Sequence, residues 1–222
     1  MMTKNNTVIK ILGDSIAAGA GSSLFHKTNQ LLMEDAKNQY FRCEAKNSWW
    51  GLLESYLEQR GIKCMVKNNG CCGAFSYQIY EHLDELVDRE DEIIFLLLGL
   101  NDRKRKNGME ELRFNLKATI ERLKKAGKTV IVLTPTPSVH SNEYFPNRIY
   151  HTDEVVSIIC DVAAETESKL VDNYSYVNKY LETRGLKIED IIYGEGCKND
   201  GLHPGDFVQK LIFENLIQNL QI

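Results

Sequence analysis

A carboxylate stands three residues ahead of an imidazole in Asp200-Gly201-Leu202-His203-Pro204. A turn at that spacing can bring the carboxylate onto Nδ1 of His203, fix the tautomer and leave Nε2 facing a nucleophile; equally, it can be a surface turn ahead of a helix begun at Pro204. Gly13-Asp14-Ser15-Ile16 follows an apolar run and puts a serine hydroxyl on the turn that leaves it, although by itself Gly-Asp-Ser reads first as a helix cap. Two more turns carry hydrogen-bond donors. Asn68-Asn69-Gly70-Cys71-Cys72-Gly73-Ala74 can present backbone N–H groups to a ligand without Cβ obstruction, or be an ordinary tight turn. Gly99-Leu100-Asn101-Asp102 offers a side-chain amide, or else a helix cap or Asx-turn. Each signal is weak alone, but together they supply a hydroxyl, an imidazole with its carboxylate and hydrogen-bond donors, the parts that nucleophilic catalysis uses.

To act together the four segments must leave one edge of a sheet. Short apolar runs rich in Val, Ile and Leu alternate with segments of helical period, the pattern of a parallel sheet with crossover helices. Strands are expected over Val8 to Leu12, Lys63 to Lys67, Glu92 to Leu98, Thr129 to Thr134 and Lys169 to Val171. Helices are expected over Ser48 to Arg60, Ser76 to Val87, Met109 to Lys125, Asp153 to Glu167 and after Pro204. Gly61 and Gly127 stand where a left-handed residue ends a helix, and Asn107 where the next one can be capped. Right-handed crossovers put every strand's C-terminal end on one edge, where open α/β sheets bind ligands. The expected fold class is therefore α/β: a three-layer α/β/α, flavodoxin-like parallel sheet of about five strands with helices on both faces. With no repeat, low-complexity tract or linker, residues 1–222 read as a single domain. The segment from Ser22 to Asn47 departs from the alternation, being polar, mixed in period and long for a strand-to-helix connection.

In this order the four segments resemble the sequence blocks of the SGNH, or GDSL-type, serine hydrolases: Gly-Asp-Ser near the N-terminus, an Asn followed by a Gly-containing turn, Gly-x-Asn-Asp, and Asp-x-x-His near the C-terminus. The resemblance runs from Gly13 to Pro204. It implies Ser15 as nucleophile, His203 as general acid/base and Asp200 as its orienting carboxylate. The oxyanion hole it implies is the backbone N–H of Ser15, the backbone N–H of Gly73 and the side-chain amide of Asn101. Gly70 competes with Gly73 for the second donor, and the family's spacing from the block asparagine, matched to Asn68, favours Gly73. The implied activity is hydrolysis of a small-molecule ester through an acyl-serine, with no metal or organic cofactor. Carbohydrate O-acetyl esters are the first substrate class expected; lysophospholipid or thioester hydrolysis and acyl transfer to an alcohol are the alternatives. A non-catalytic module that binds a small ligand through Ser15 and Asn101 is the rival from another class, and the intact Asp200 and His203 count against it.

Composition removes other classes. A chain of 222 residues, 43% of them apolar, can bury a sizeable core without covalent staples. Its six cysteines (Cys43, Cys64, Cys71, Cys72, Cys160, Cys197) include no CxxC pair, so free thiols in a reducing compartment are expected. A formal charge of -4 disfavours a nucleic-acid partner. No stretch approaches the roughly 18 apolar residues of a membrane span, and the first ten residues contain no signal-like apolar region, so no stable membrane insertion and a cytoplasmic location are expected. The sequence does not specify an oligomeric state.

Several decoys fall away. Ala126-Gly127-Lys128-Thr129 has Arg122 where a phosphate-binding loop needs its first glycine; Gly19-Ala20-Gly21 has Leu24 where a dinucleotide fingerprint needs its third. There is no Gly-x-Ser-x-Gly elbow, and no cysteine or histidine set has zinc spacing. Cys71 and Cys72 are expected to pack as small apolar fillers. His26, His82 and His151 are expected on the surface or on helices, whereas His140, in the loop after the fourth strand, is a candidate substrate contact. The run Arg103-Lys104-Arg105-Lys106 reads first as a solvated loop; the alternative is that one or two side chains, with Arg103 and Arg105 as candidates, hold an anionic group of the substrate.

Overall fold

Thr7–Gly13 (β1) is rich in β-branched and leucine side chains and is buried along its whole length, as a strand covered on both faces must be. The computed structural model describes residues 7–194 and 200–220; Cys197 and the residues before Thr7 lie outside them. Around β1 the chain builds a five-stranded, wholly parallel sheet in which β4 (Cys64–Gly70) and β5 (Asp91–Leu97) flank β1, followed by β6 (Thr129–Leu133) and β7 (Lys169–Val171). All five are expected from the sequence, and β4 runs three residues further than expected, so that Gly13 pairs with both Gly70 and Leu97. The only charged side chain of β1, Lys10, is buried with its Nζ 3.1 Å from Asp88 Oδ2 and 3.1 Å from Asp91 Oδ2. That pairing is what allows an ammonium inside a central strand.

Helices cover the sheet in two groups. One contains α1 (Trp49–Gln59) and α8 (Asp206–Leu220) packed on each other; the other contains α2 (Ser76–Glu81), α4 (Gly108–Lys125) and α6 (Thr152–Glu165), with α4 touching both neighbours. Ser48 caps α1 by accepting from the Gly51 N–H at 3.3 Å, and Gly61 and Gly127 take the left-handed conformation just past their helices. The single helix expected over 76–87 is two, because the backbone at His82 breaks the run before α3 (Leu83–Leu86). Asn107 precedes α4 but makes no side-chain cap: its φ of -104° and ψ of 21° are not the extended backbone that aims a side chain at the first turn.

Two features were not expected. Within residues 22–47 lies an antiparallel hairpin, β2 (His26–Glu34) and β3 (Gln39–Glu44), closed by Asp35 Oδ1, which accepts from the N–H groups of Lys37 and Asn38 at 2.8 Å. Register shifts near Leu31 disrupt its two-residue alternation, which is why the segment reads as irregular. The second is α7 (Asn173–Arg184), capped by Asp172, after the four-residue α5 (His140–Glu143). It buries only Asn173, Val177 and Leu181, a stripe too narrow to register as an apolar period. No described helix is long and apolar enough to cross a membrane.

Candidate active site

Ser15 stands two residues past the end of β1, on a turn rather than at the start of a helix. Its Oγ lies 2.8 Å from His203 Nε2, and His203 Nδ1 lies 2.7 Å from Asp200 Oδ2. The other oxygen of Asp200 accepts from the backbone N–H groups of Leu202 and His203, each at 3.0 Å, so the three-residue spacing closes a compact turn. Burial pushes the Asp200 carboxyl up, but the hydrogen bonds from the His203 ring and backbone outweigh it and hold the group well below the usual carboxylate range. An anionic Asp200 takes the Nδ1 hydrogen, which leaves Nε2 to accept from the serine hydroxyl. Gly201 makes the turn possible at φ +70°, where a Cβ would also meet Val139 Cγ2 at 2.1 Å. The Val139 N–H donates to Gly201 O at 2.9 Å, tying the turn to the loop after β6.

The loop after β1 is locked to the start of α8. Ser23 donates to Asp206 from both its N–H (2.7 Å) and its Oγ (2.6 Å). Gln209, wholly buried, donates to Ala20 O and Pro204 O and accepts from the Trp49 N–H. Trp49 in turn donates its indole N–H to Ile16 O at 3.2 Å, fixing the backbone beside Ser15.

Two more strand ends supply donors. Gly70 is excluded as one: its N–H already donates to Asn68 Oδ1 at 3.0 Å, and its Cα packs so close that a Cβ would lie 2.3 Å from Ala18 N. Gly73 is open, at φ +88° with nothing near a Cβ position, and among the described residues its N–H and that of Ser15 have no acceptor. Asn68 holds the turn in place by donating to Ala18 O and Cys43 O. The Asn101 amide donates one hydrogen to Ala74 O at 3.0 Å, and its Oδ1 accepts from Lys104 Nζ at 2.7 Å, so its orientation is fixed from both ends. Ser15, Gly73, Asn101, Asp200 and His203 all line one pocket of about 690 Å³.

The remaining expectations divide. Arg103 does not reach the pocket: it is fully buried, with Nη1 on Glu143 Oε1 (3.0 Å) and Thr152 Oγ1 (2.8 Å), and pins the loop that carries Val139. Arg105 turns away to Glu111 at 2.6 Å and lies over the Phe75 and Tyr77 rings. His140 is exposed on α5 and stacks on Tyr144, ring centroids 4.3 Å apart, outside the pocket lining. The cations that do line the pocket are Lys104, between the two arginines, Arg148 and Lys27 of β2. Cys71 is buried packing, as expected, whereas Cys72 is exposed in the pocket wall with its Sγ 3.9 Å from that of Cys43 on β3. Among the described residues, no group of three or more His, Cys, Asp or Glu is placed to hold a metal ion.

The family profile described as the GDSL-like Lipase/Acylhydrolase family matches residues 11–211. The chain belongs to this family. It is accordingly a carboxylic ester hydrolase, the class to which the family's acylhydrolases belong. A comparison with curated proteins finds no match. Among solved structures, an acetylxylan esterase from Geobacillus stearothermophilus superposes with a TM-score of 0.71 at 18% identity, over 100% of this chain and 97% of that one. A lipase/acylhydrolase from Enterococcus faecalis gives a TM-score of 0.70 at 19% identity, over 98% and 96% of the two chains. An α/β hydrolase from the Lake Arreo metagenome gives 0.71 at 19% identity, over 100% and 98%. These likenesses establish a shared fold.

Beneath the site this GDSL-like acylhydrolase buries two carboxyl groups. Asp102 accepts from the Ser76 N–H (3.1 Å) and Oγ (2.6 Å), bracing the Gly73 turn against the Asn101 turn. Burial pushes its carboxyl up to about 7, against those hydrogen bonds. Asp14, fully buried, accepts from the Ile16 N–H at 3.0 Å, while among the described residues its Oδ2 has no close hydrogen-bond partner. Burial raises it to about 6 from an ordinary 3.8, against the Ile16 bond and the His203 charge. A folded-state pKa that is raised means that the native state keeps a proton the unfolded chain has lost. The associated stability is therefore full below about pH 4 and is lost as pH rises through about 6. Asp14→Asn keeps the acceptor for Ile16 and removes the titration. In urea unfolding, its stability should fall less between pH 4 and 7 than that of the parent protein, by up to about 3 kcal/mol. Parallel pH profiles for the two proteins would show that Asp14 carries no such strain.

Proposed function

We propose that this chain hydrolyses small acyl esters, foremost O-acetyl groups on carbohydrates, through an acyl intermediate on Ser15. The observation that carries the reading is the hydrogen-bonded line Ser15 Oγ, His203, Asp200, at 2.8 and 2.7 Å, opening into a pocket at the sheet's C-terminal edge. His203 Nε2 takes the hydroxyl proton as Ser15 Oγ attacks the acyl carbonyl, and Asp200 stabilises the imidazolium. The developing oxyanion is received by the Ser15 and Gly73 N–H groups and by the second hydrogen of the Asn101 amide. His203 then protonates the departing alcohol. Water, deprotonated by the same imidazole, releases the acid and restores Ser15. No metal or organic cofactor enters this cycle, because these side chains handle every proton and charge in it.

For the acyl and alcohol parts, the reading draws on the acetylxylan esterase among the fold's relatives and on a mixed pocket wall. Phe25 and Phe41 give apolar surface, and Ser22 and Gln39 give polar groups, a combination that suits a sugar ring. With a panel of acetylated sugars and of 4-nitrophenyl esters from acetyl to octanoyl, acetate release from sugars should be measurable and kcat/KM should fall at least about tenfold with chain length. A rise toward octanoyl would replace the small-acyl reading with a lipase-like one. Asn101→Ala should lower kcat by about 10²- to 10³-fold with little change in KM, because its donor acts on charge present mainly in the transition state. An effect confined to KM would make Asn101 a substrate-binding residue only.

A further inference from the structure

Lys104 and Arg148 line the pocket beside Asn101 and His203, and neither forms a salt bridge with a carboxylate among the described residues. This sets them apart from Arg103 and Arg105 of the same loop, which are paired with Glu143 and Glu111. One of the three donors of Lys104 is committed to Asn101 Oδ1, which places the ammonium one side-chain amide away from the proposed oxyanion position. Among the described residues the Nε of Arg148 is buried without a partner, and its Nη1 bonds only the neighbouring Asn147 Oδ1 at 2.7 Å. Among the described residues lining the pocket only Asp200 is acidic, and it is committed to His203. Lys27 of β2 adds a third positive charge to the wall. All this lies in a protein whose formal charge is -4, so the positive pocket is local and not a reflection of a basic chain.

We infer that the pocket takes an ester whose alcohol part carries an anionic group, a carboxylate or a phosphate, and that Lys104 and Arg148 form the subsite that holds it. The inference rests on the esterase reading of the same site. Partly desolvated cations without a counter-charge are unfavourable, and a bound anion is the group that relieves them. Burial lowers the proton affinity of Lys104, and the Arg148 charge adds to it; for Arg148, burial acts first and Arg103 adds, with Glu143 and Asp200 opposing. Asp200 stays bonded to His203, so its charge reaches Arg148 only at a distance and gives the guanidinium no direct carboxylate partner. An anionic sugar, a uronate or a sugar phosphate, fits both the subsite and the carbohydrate reading.

Inhibition of 4-nitrophenyl acetate hydrolysis by glucuronate, glucose 6-phosphate and glucose tests the subsite without requiring the natural ester. At low ionic strength at least one anion should inhibit competitively with a Ki about tenfold or more below that of glucose, and the advantage should shrink in about 0.5 M salt. The two anions separate a carboxylate subsite from a phosphate subsite. Arg148→Gln should erase most of the advantage, and Arg148→Lys should retain a larger part of it, which distinguishes loss of charge from loss of the loop. Anions that inhibit no better than glucose, or an advantage that survives Arg148→Gln, would overturn the subsite while leaving the esterase reading intact. Absence of 4-nitrophenyl acetate hydrolysis in the parent protein would instead remove the esterase reading, and this inference with it.

Discussion

The contact between Ser15 Oγ and His203 Nε2 joins residues 188 positions apart, and the geometry of the site depends on how those two chain ends are held. Neither end is in regular structure. The hold comes from short polar links made by Ser23, Asp206 and Gln209, and from a backbone approach at Gly21 so close that a Cβ would lie 2.4 Å from Pro204 O. Each link is buried or partly buried, so water competes poorly for its donors and acceptors and it persists. The hydrophobic core fixes β1 and α8, and these links convert that into a hydrogen bond between two side chains.

The donors of the site follow the same logic. A backbone N–H can face a ligand only where no partner takes it, and the turn after β4 separates its two glycines by that criterion: Gly70 is consumed by Asn68, and Gly73 is left open. Holding such turns side by side takes buried polar bonds, and those of Asp14 and Asp102 are made by carboxyl groups whose burial raises their pKa. Stability is given up locally so that the edge of the sheet stays fixed while its donors stay free.

Much of this was legible in the sequence because it depends on local rules. The five strands announced themselves as apolar runs, and Gly13, Asn101 and His203 each sat beside the end of an element where a turn was needed. What was not legible depends on partners far along the chain. Arg103, Lys104 and Arg105 are equivalent by type, and their fates are set by Glu143 and Glu111: the arginines are drawn to these carboxylates and Lys104 is left facing the pocket. Arg148 has no motif at all. The β2–β3 hairpin hid behind its own register shifts, and α7 behind a polar sequence anchored by Val177 and Leu181.

The central claim is that Ser15 is the hydroxyl activated by His203. Treatment of the folded protein with a fluorophosphonate, followed by peptide mapping by mass spectrometry, tests it most directly, since phosphonylation needs a serine that is both deprotonated by a base and supported by an oxyanion hole. The account predicts a single adduct on Ser15, absent in Ser15→Ala and strongly slowed in His203→Ala. Labelling at another serine, or labelling that persists in Ser15→Ala, would contradict it.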